Sequence, residues 1–152
     1  MYHQWDKQLR DWLSMEIRRC FHAPHLAAEF WRRSTDEIVD FLTSWGWDVR
    51  AAPFFRDLSV CGLVVNVYKH GNGRSLDELR RTAPELAGHR PNTPEFLRSA
   101  MDYTDLAVND EDLQRFADAI SAFWRDVPEN TFQSSITDEP DWVRKALAKD
   151  AS

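Results

Sequence analysis

The chain has 152 residues, of which 43% are hydrophobic, 29% charged and 12% aromatic, a composition that fits one globular domain and excludes a disordered chain. A formal net charge of −6 argues against a general nucleic-acid coat or a binder of anionic membranes, both of which need a basic excess. Residues 1–101 carry 14 basic and 13 acidic side chains and residues 102–152 carry 5 and 12, so the acidity sits in the C-terminal third.

The opening MYHQWDKQLRDW is amphipathic and lacks the apolar stretch of a signal peptide. No segment approaches the roughly 20 apolar residues that span a bilayer, so a cytoplasmic location without a membrane partner is expected. Trp5, Leu9, Trp12, Leu13, Ile17, Cys20 and Phe21 recur at the spacing of one helical face, which predicts a first helix ending near His22, because Ala23 precedes a proline. Pro24 suits the first turn of a second helix, with Ala27, Phe30, Trp31, Ser34, Ile38, Phe41, Leu42 and Trp45 as its core stripe and Gly46 as its terminator. Ser34-x-x-Glu37 also fits a capping box opening a separate helix, but the unbroken apolar phase favours one long helix.

Residues 53–70 carry Phe54, Leu58, Cys61, Val65 and Tyr68 at helical spacing between Pro53 and Gly71. The run LVVNVY at 63–68 would pass as a buried strand, yet about 17 residues without a turn signal decide for a helix. Being apolar nearly all round, this helix is expected to be central. Ser75-Leu76-Asp77-Glu78 reads as a capping box for a short helix to about Arg81, followed by a surface connection containing Pro84, Pro91 and Pro94 with one helical turn near Phe96 to Ala100. Asn109 caps a last main helix with Leu113, Phe116, Ala117, Ile120, Phe123, Trp124 and Val127 facing inward, and Pro128 ends it. The tail, 129–152, holds Ser134, Ser135 and a short helix at Trp142 to Leu147, loosely docked. The expected fold class is all-α: a single domain over 1–152, a compact helical bundle of four to five main helices with a Pro-rich connection and a short C-terminal helix.

Cys20 and Cys61 are too few for a disulfide scaffold, and both lie among apolar neighbours in sequence, where cysteine acts as a small hydrophobe. Cys20, His22 and His25 are zinc-type residues without a second pair near in sequence, so no metal and no cofactor is expected. Asn66 and His70 are i and i+4 and Lys69 flanks them, which puts three polar groups at one helix edge, where the histidine can serve as general acid or base. Arg74, in Gly71-Asn72-Gly73-Arg74-Ser75, is placed to meet a phosphate. A Lys-His pair before a glycine also ends an ordinary helix by bonding its last carbonyls.

The run Val65-Asn66-Val67-Tyr68-Lys69-His70-Gly71, late on a central helix of an all-helical domain, resembles the signature region of HEPN-type proteins. The resemblance implies a small helical bundle of a superfamily rich in ribonucleases of toxin–antitoxin, abortive-infection and related defence systems. Its active members pair an arginine, often followed by a polar residue, with a histidine four to six positions later, and two such helices face each other in a dimer. On this chain Asn66 takes the polar position and His70 that of the histidine, while Val65 stands where the arginine belongs. The group that would hold phosphate and stabilise developing negative charge is therefore missing, and Lys69 or Arg74 replaces it only in a rearranged site.

Asp102, Asp105, Asp110, Glu111 and Asp112 form an acidic segment suited to docking a basic protein, with Tyr103 and Trp142 as aromatic anchors. Acids in the first turn of the Asn109 helix also stabilise that helix without any partner. The preferred expectation is a non-catalytic binding protein of immunity, antitoxin or defence-regulator type, whose partner is a toxin or defence component. The alternative is a homodimeric, metal-independent ribonuclease with His70, Asn66 and Lys69 at its site and RNA as its ligand. A lost arginine weighs more against the enzyme than a plain composition does against the binder.

Overall fold

A computed structural model describes residues 1–89, 92–129 and 137–152. Eight α-helices occupy them: α1 Tyr2–Phe21, α2 Pro24–Glu29, α3 Thr35–Ser44, α4 Phe55–His70, α5 Arg74–Thr82, α6 Glu95–Arg98, α7 Asp110–Arg125 and α8 Asp141–Asp150, with single 3-10 turns at Val49–Ala51 and Tyr103–Asp105. No strand occurs among the described residues, so the chain is all-α, with more helices than the four or five expected. No described helix is long and apolar enough to cross a membrane. Ser134 and Ser135 lie outside the described residues. The chain divides into two compact units, one of Met1, His3–Ala52 and Asp126–Ser152, the other of Tyr2 and Pro53–Arg125.

In the first unit α1 buries Trp5, Leu9, Leu13 and Ile17, as its spacing predicts, and ends on His22 in the left-handed region at φ 54°. The apolar stripe stops at Ile17: Cys20 and Phe21 are exposed, which corrects the expectation for both. The long second helix is also corrected, since the chain breaks over residues 30–34. Ser34 Oγ accepts from Glu37 N (3.2 Å) and Ser34 N donates to Glu37 Oε2 (2.8 Å), a complete capping box that starts α3. Within the break Trp31 and Ser34 face solvent, while Phe30, Ile38, Phe41 and Leu42 stay buried. Arg10 holds the break from α1: its guanidinium donates to the carbonyls of Phe30 and Arg33, the latter at 2.7 Å, and to both oxygens of Asp6 at 2.9 and 3.0 Å. Helix α8 packs on α2, burying Val143 and Ala146.

In the second unit α4 packs on α5 and α7, so the helix expected to be central organises this unit. It buries Val60, Cys61 and Val67, with Val64 partly buried beside them, against Leu76, Leu79, Leu86 and Phe116. Of the expected stripe, Phe54, Leu58 and Cys61 are buried, while toward the end of the helix Val65 is half-buried and Tyr68 is 81% exposed. Helix α5 starts after Gly73 with no side-chain cap, so Ser75 is not its cap. The proline-rich connection is only partly on the surface: Leu86 and Ala87 are buried, and Ala107 N donates to Leu86 O at 2.9 Å. Asn109 does cap α7, accepting from Asp112 N at 3.0 Å while its own N–H donates to Asp112 Oδ2 at 3.1 Å. Phe116, Ala119 and Phe123 form the inner face of α7, which turns Leu113 outward, 47% exposed, against expectation.

Candidate functional site

The α4–α5 turn carries the residues of the predicted nuclease site. Asn66 is half-buried, and its side chain makes no hydrogen bond to a described residue. Lys69 and His70 occupy the last turn of α4, exposed, and Arg74 opens α5, also exposed. Gly71, at φ 70°, makes the sharp departure from α4 that a side chain would resist. Against this turn lies Tyr103, whose N–H donates to Asn72 Oδ1 at 3.0 Å and whose ring sits 3.4 Å from where a Cβ on Gly71 would be. A predicted docking residue and the predicted phosphate turn thus adjoin, although 31 positions separate Tyr103 from Asn72 and no local pattern links them.

The acidic segment splits into bound and free members. Asp102 Oδ1 accepts from Thr104 N (2.8 Å) and Thr104 Oγ1 (2.6 Å), and Asp105 Oδ2 accepts from Asp102 N (2.8 Å), so both serve a local turn. The hydrogen bonds from the Thr104 hydroxyl and N–H hold the Asp102 carboxyl below its ordinary value. Asp112 completes the Asn109 cap and pairs with Arg115 at 2.9 Å. Asp110 and Glu111 are exposed and pair with no described cation. Trp142 is half-buried on α8, packed edge-on against Phe30 at 5.8 Å with the Arg33 guanidinium 5.2 Å from its ring, and so holds the tail rather than standing open.

Beside α7 lies a groove of about 480 Å³, lined by Phe54 and Asp57 on one side and by Glu111, Gln114, Arg115, Asp118, Ala119 and Ala122 on the other. Arg115 bridges the walls, pairing with Asp112 and lying 3.6 Å from Asp57. Of this set only Glu111 is among the predicted site residues, and Phe54 is expected only as a core residue. The available signal was the repeat of Glu111, Asp118 and the small Ala119 and Ala122 along one helix. Elsewhere Arg10, Arg19, Arg32, Arg33, Arg50, Arg80, Arg81, Arg98, Arg115 and Arg144 all ion-pair with carboxylates.

The Cys-x-His-x2-His residues are occupied separately. Cys20 Sγ contacts Glu16 at 3.7 Å, His22 ends α1, and the His25 ring sits 2.8 Å from Asp150. Among the described residues no group of three His, Cys, Asp or Glu side chains converges as metal ligands. Cys61 is buried, and burial pushes its thiol up to about 11, which leaves it unreactive at neutral pH. No protein-family model matches the chain, and no curated protein and no solved structure matches it.

Proposed function

We propose that this chain is a non-catalytic binding protein of immunity, antitoxin or defence-regulator type, and that it engages a basic protein partner through the exposed acidic face of α7. One observation carries the reading. Most arginines are already paired with carboxylates, yet Asp110, Glu111 and Asp118 on the outer side of α7 have no cation among the described residues. An unpaired charge set of this kind steers a complementary partner and discriminates against others. Recovery of a basic protein on purification from the native host is expected, falling at least about tenfold when Glu111→Lys and Asp118→Lys are combined. Degradation of RNA by the pure protein, lost on His70→Ala, overturns the reading.

A second reading has Asn66 in its favour, since its amide is committed to no hydrogen bond in the described structure and Lys69 and His70 are exposed on the same helix end. Under it the protein is a HEPN-like, metal-independent ribonuclease that works as a homodimer. A protein that stays monomeric and has no affinity for RNA at low salt removes this reading.

A further inference from the structure

We infer that the outward face of α1 binds a second copy of this chain, the two α1 helices lying antiparallel about a two-fold axis near Ser14 and Met15. This surface is neither the acidic face of α7 nor the end of α4, so the inference goes beyond both readings above. Asp11, Met15 and Arg18 stand at i, i+4 and i+7 on α1 and are all exposed, so they share one helix face. Met15 is 59% exposed and Trp31 49%, and with Ser14 they line a groove of about 490 Å³ beside the helix. Ser14 is the buried residue of that lining, its hydroxyl donating to Ala27 O at 2.9 Å, which leaves a recess beside Met15. Arg10 holds the carbonyls of Phe30 and Arg33 on either side of Trp31, so the indole wall stands on fixed backbone. The second observation is charge: Asp11 and Arg18 pair with no described residue, and about 10 Å of helix separates them from each other.

The order of these groups selects the occupant. Midway between Asp11 and Arg18 lie Ser14 and Met15, so an antiparallel pair centred there sets Asp11 opposite the partner's Arg18, and Arg18 opposite the partner's Asp11. A two-fold contact makes each such pair twice. Met15 then meets the partner's Ser14, a flexible thioether entering the recess that a small side chain leaves, with the indole of Trp31 alongside. A parallel pair would instead oppose like charges at both positions, which disfavours it. The net charge points to the same face. At −6 two copies repel each other, but residues 2–21 carry four basic and three acidic side chains, so α1 adds nothing to that repulsion. One helix face and one indole make a small interface, and the dimer is expected to dissociate on dilution.

The test is sedimentation velocity on the full chain from micromolar to near-millimolar concentration, where the wild type is expected to show a monomer–dimer equilibrium. Asp11→Arg alone and Arg18→Asp alone each set like charges against one another twice across the two-fold, and each is expected to weaken dimerisation at least about tenfold. Asp11→Arg combined with Arg18→Asp restores opposite charges and is expected to recover the wild-type affinity to within about threefold. Helicity and thermal midpoint, measured at low concentration, verify the fold of each variant. Asp11→Arg also reduces the net negative charge, which by itself favours association. Glu85→Arg makes the same change at an exposed position outside the face and is therefore expected to leave dimerisation equal or stronger. A protein that stays monomeric at every concentration overturns the inference. Association that no variant alters, or that the single variants weaken and the double variant does not recover, overturns it in favour of another contact surface. Weakening by Glu85→Arg as large as that by Asp11→Arg overturns it as well. Native purification judges the α7 reading separately, whichever of these results is found.

Discussion

Arg10 shows what one side chain does where a helix breaks. The carbonyls of Phe30 and Arg33 lose their helical partners between α2 and α3, and the Arg10 guanidinium, 11% exposed and fixed by Asp6, supplies donors to both. Arg10→Met leaves those carbonyls without the guanidinium donors and Asp6 with only the Thr35 hydroxyl, and is expected to cost about 2–4 kcal/mol in denaturant unfolding. Arg10→Lys should recover only part of this, because a single ammonium cannot reproduce the fork. Gly88 is a second such residue. At φ 82° it favours glycine already, and a Cβ there would meet the Asp105 carbonyl and Met101 Cε at 2.7 Å each. Gly88→Ala is therefore expected to lower stability by more than about 2 kcal/mol, measured in the same way. Neither residue was legible in the sequence. The partners of Arg10 lie 20 and 23 positions away, and a glycine's φ leaves no trace in hydrophobic periodicity.

Among the elements, α1 and α7 were read to within a few residues, because each has a strong apolar period and a chemical end signal: Ala23-Pro24 for one, Asn109 for the other. The α2–α3 break was misread for a definite reason. Both helices bury one face, so Ala27, Phe30, Ile38, Phe41 and Leu42 keep a helical phase across a chain that is not helical between them. The local cap chemistry of Ser34 and Glu37 decided the outcome. Ser34→Ala is expected to cost about 1 kcal/mol and to fray the start of α3 in hydrogen exchange. Hydrogen bonds from the Ser34 backbone and hydroxyl hold Glu37 below its ordinary 4.5, and the Arg33 hydrogen bond does the same for Glu29. With folded values below unfolded ones, both contribute stability that is full above about 4.5 and lost as pH falls through the folded values. The thermal midpoint should thus decline on acidification below pH 4.5, and Glu37→Gln should flatten that decline. In α4 length and punctuation distinguished helix from strand, but a helix apolar on several sides does not announce which side is buried, and Tyr68 was placed inward for that reason.

At the scale of the whole molecule, the tilt of charge toward the C-terminal third was legible from composition, whereas its division into turn-forming, capping and free carboxylates needed coordinates. A loosely docked tail helix was expected from the sequence, but the α2 terminus it caps was not legible there. Asp150 accepts from His25 N (2.8 Å), Leu26 N (3.0 Å) and the His25 ring (2.8 Å), so the last residue of α8 caps the first turn of α2. Burial pushes the Asp150 carboxyl up, and these hydrogen bonds outweigh it, leaving it below its ordinary value. Truncation before Asp141 should uncover Phe30 and Phe41, raise binding of a hydrophobic dye and speed exchange in α2. Asp150→Asn should speed exchange in α2 without the dye response. The consequence reaches into biosynthesis. Residues 53–125 are all made before α8, while the unit built on residues 3–52 draws its closing helix from Asp141–Asp150. Synthesis therefore delivers residues 53–125 while the first unit still waits, its aromatic centre open until α8 has been made.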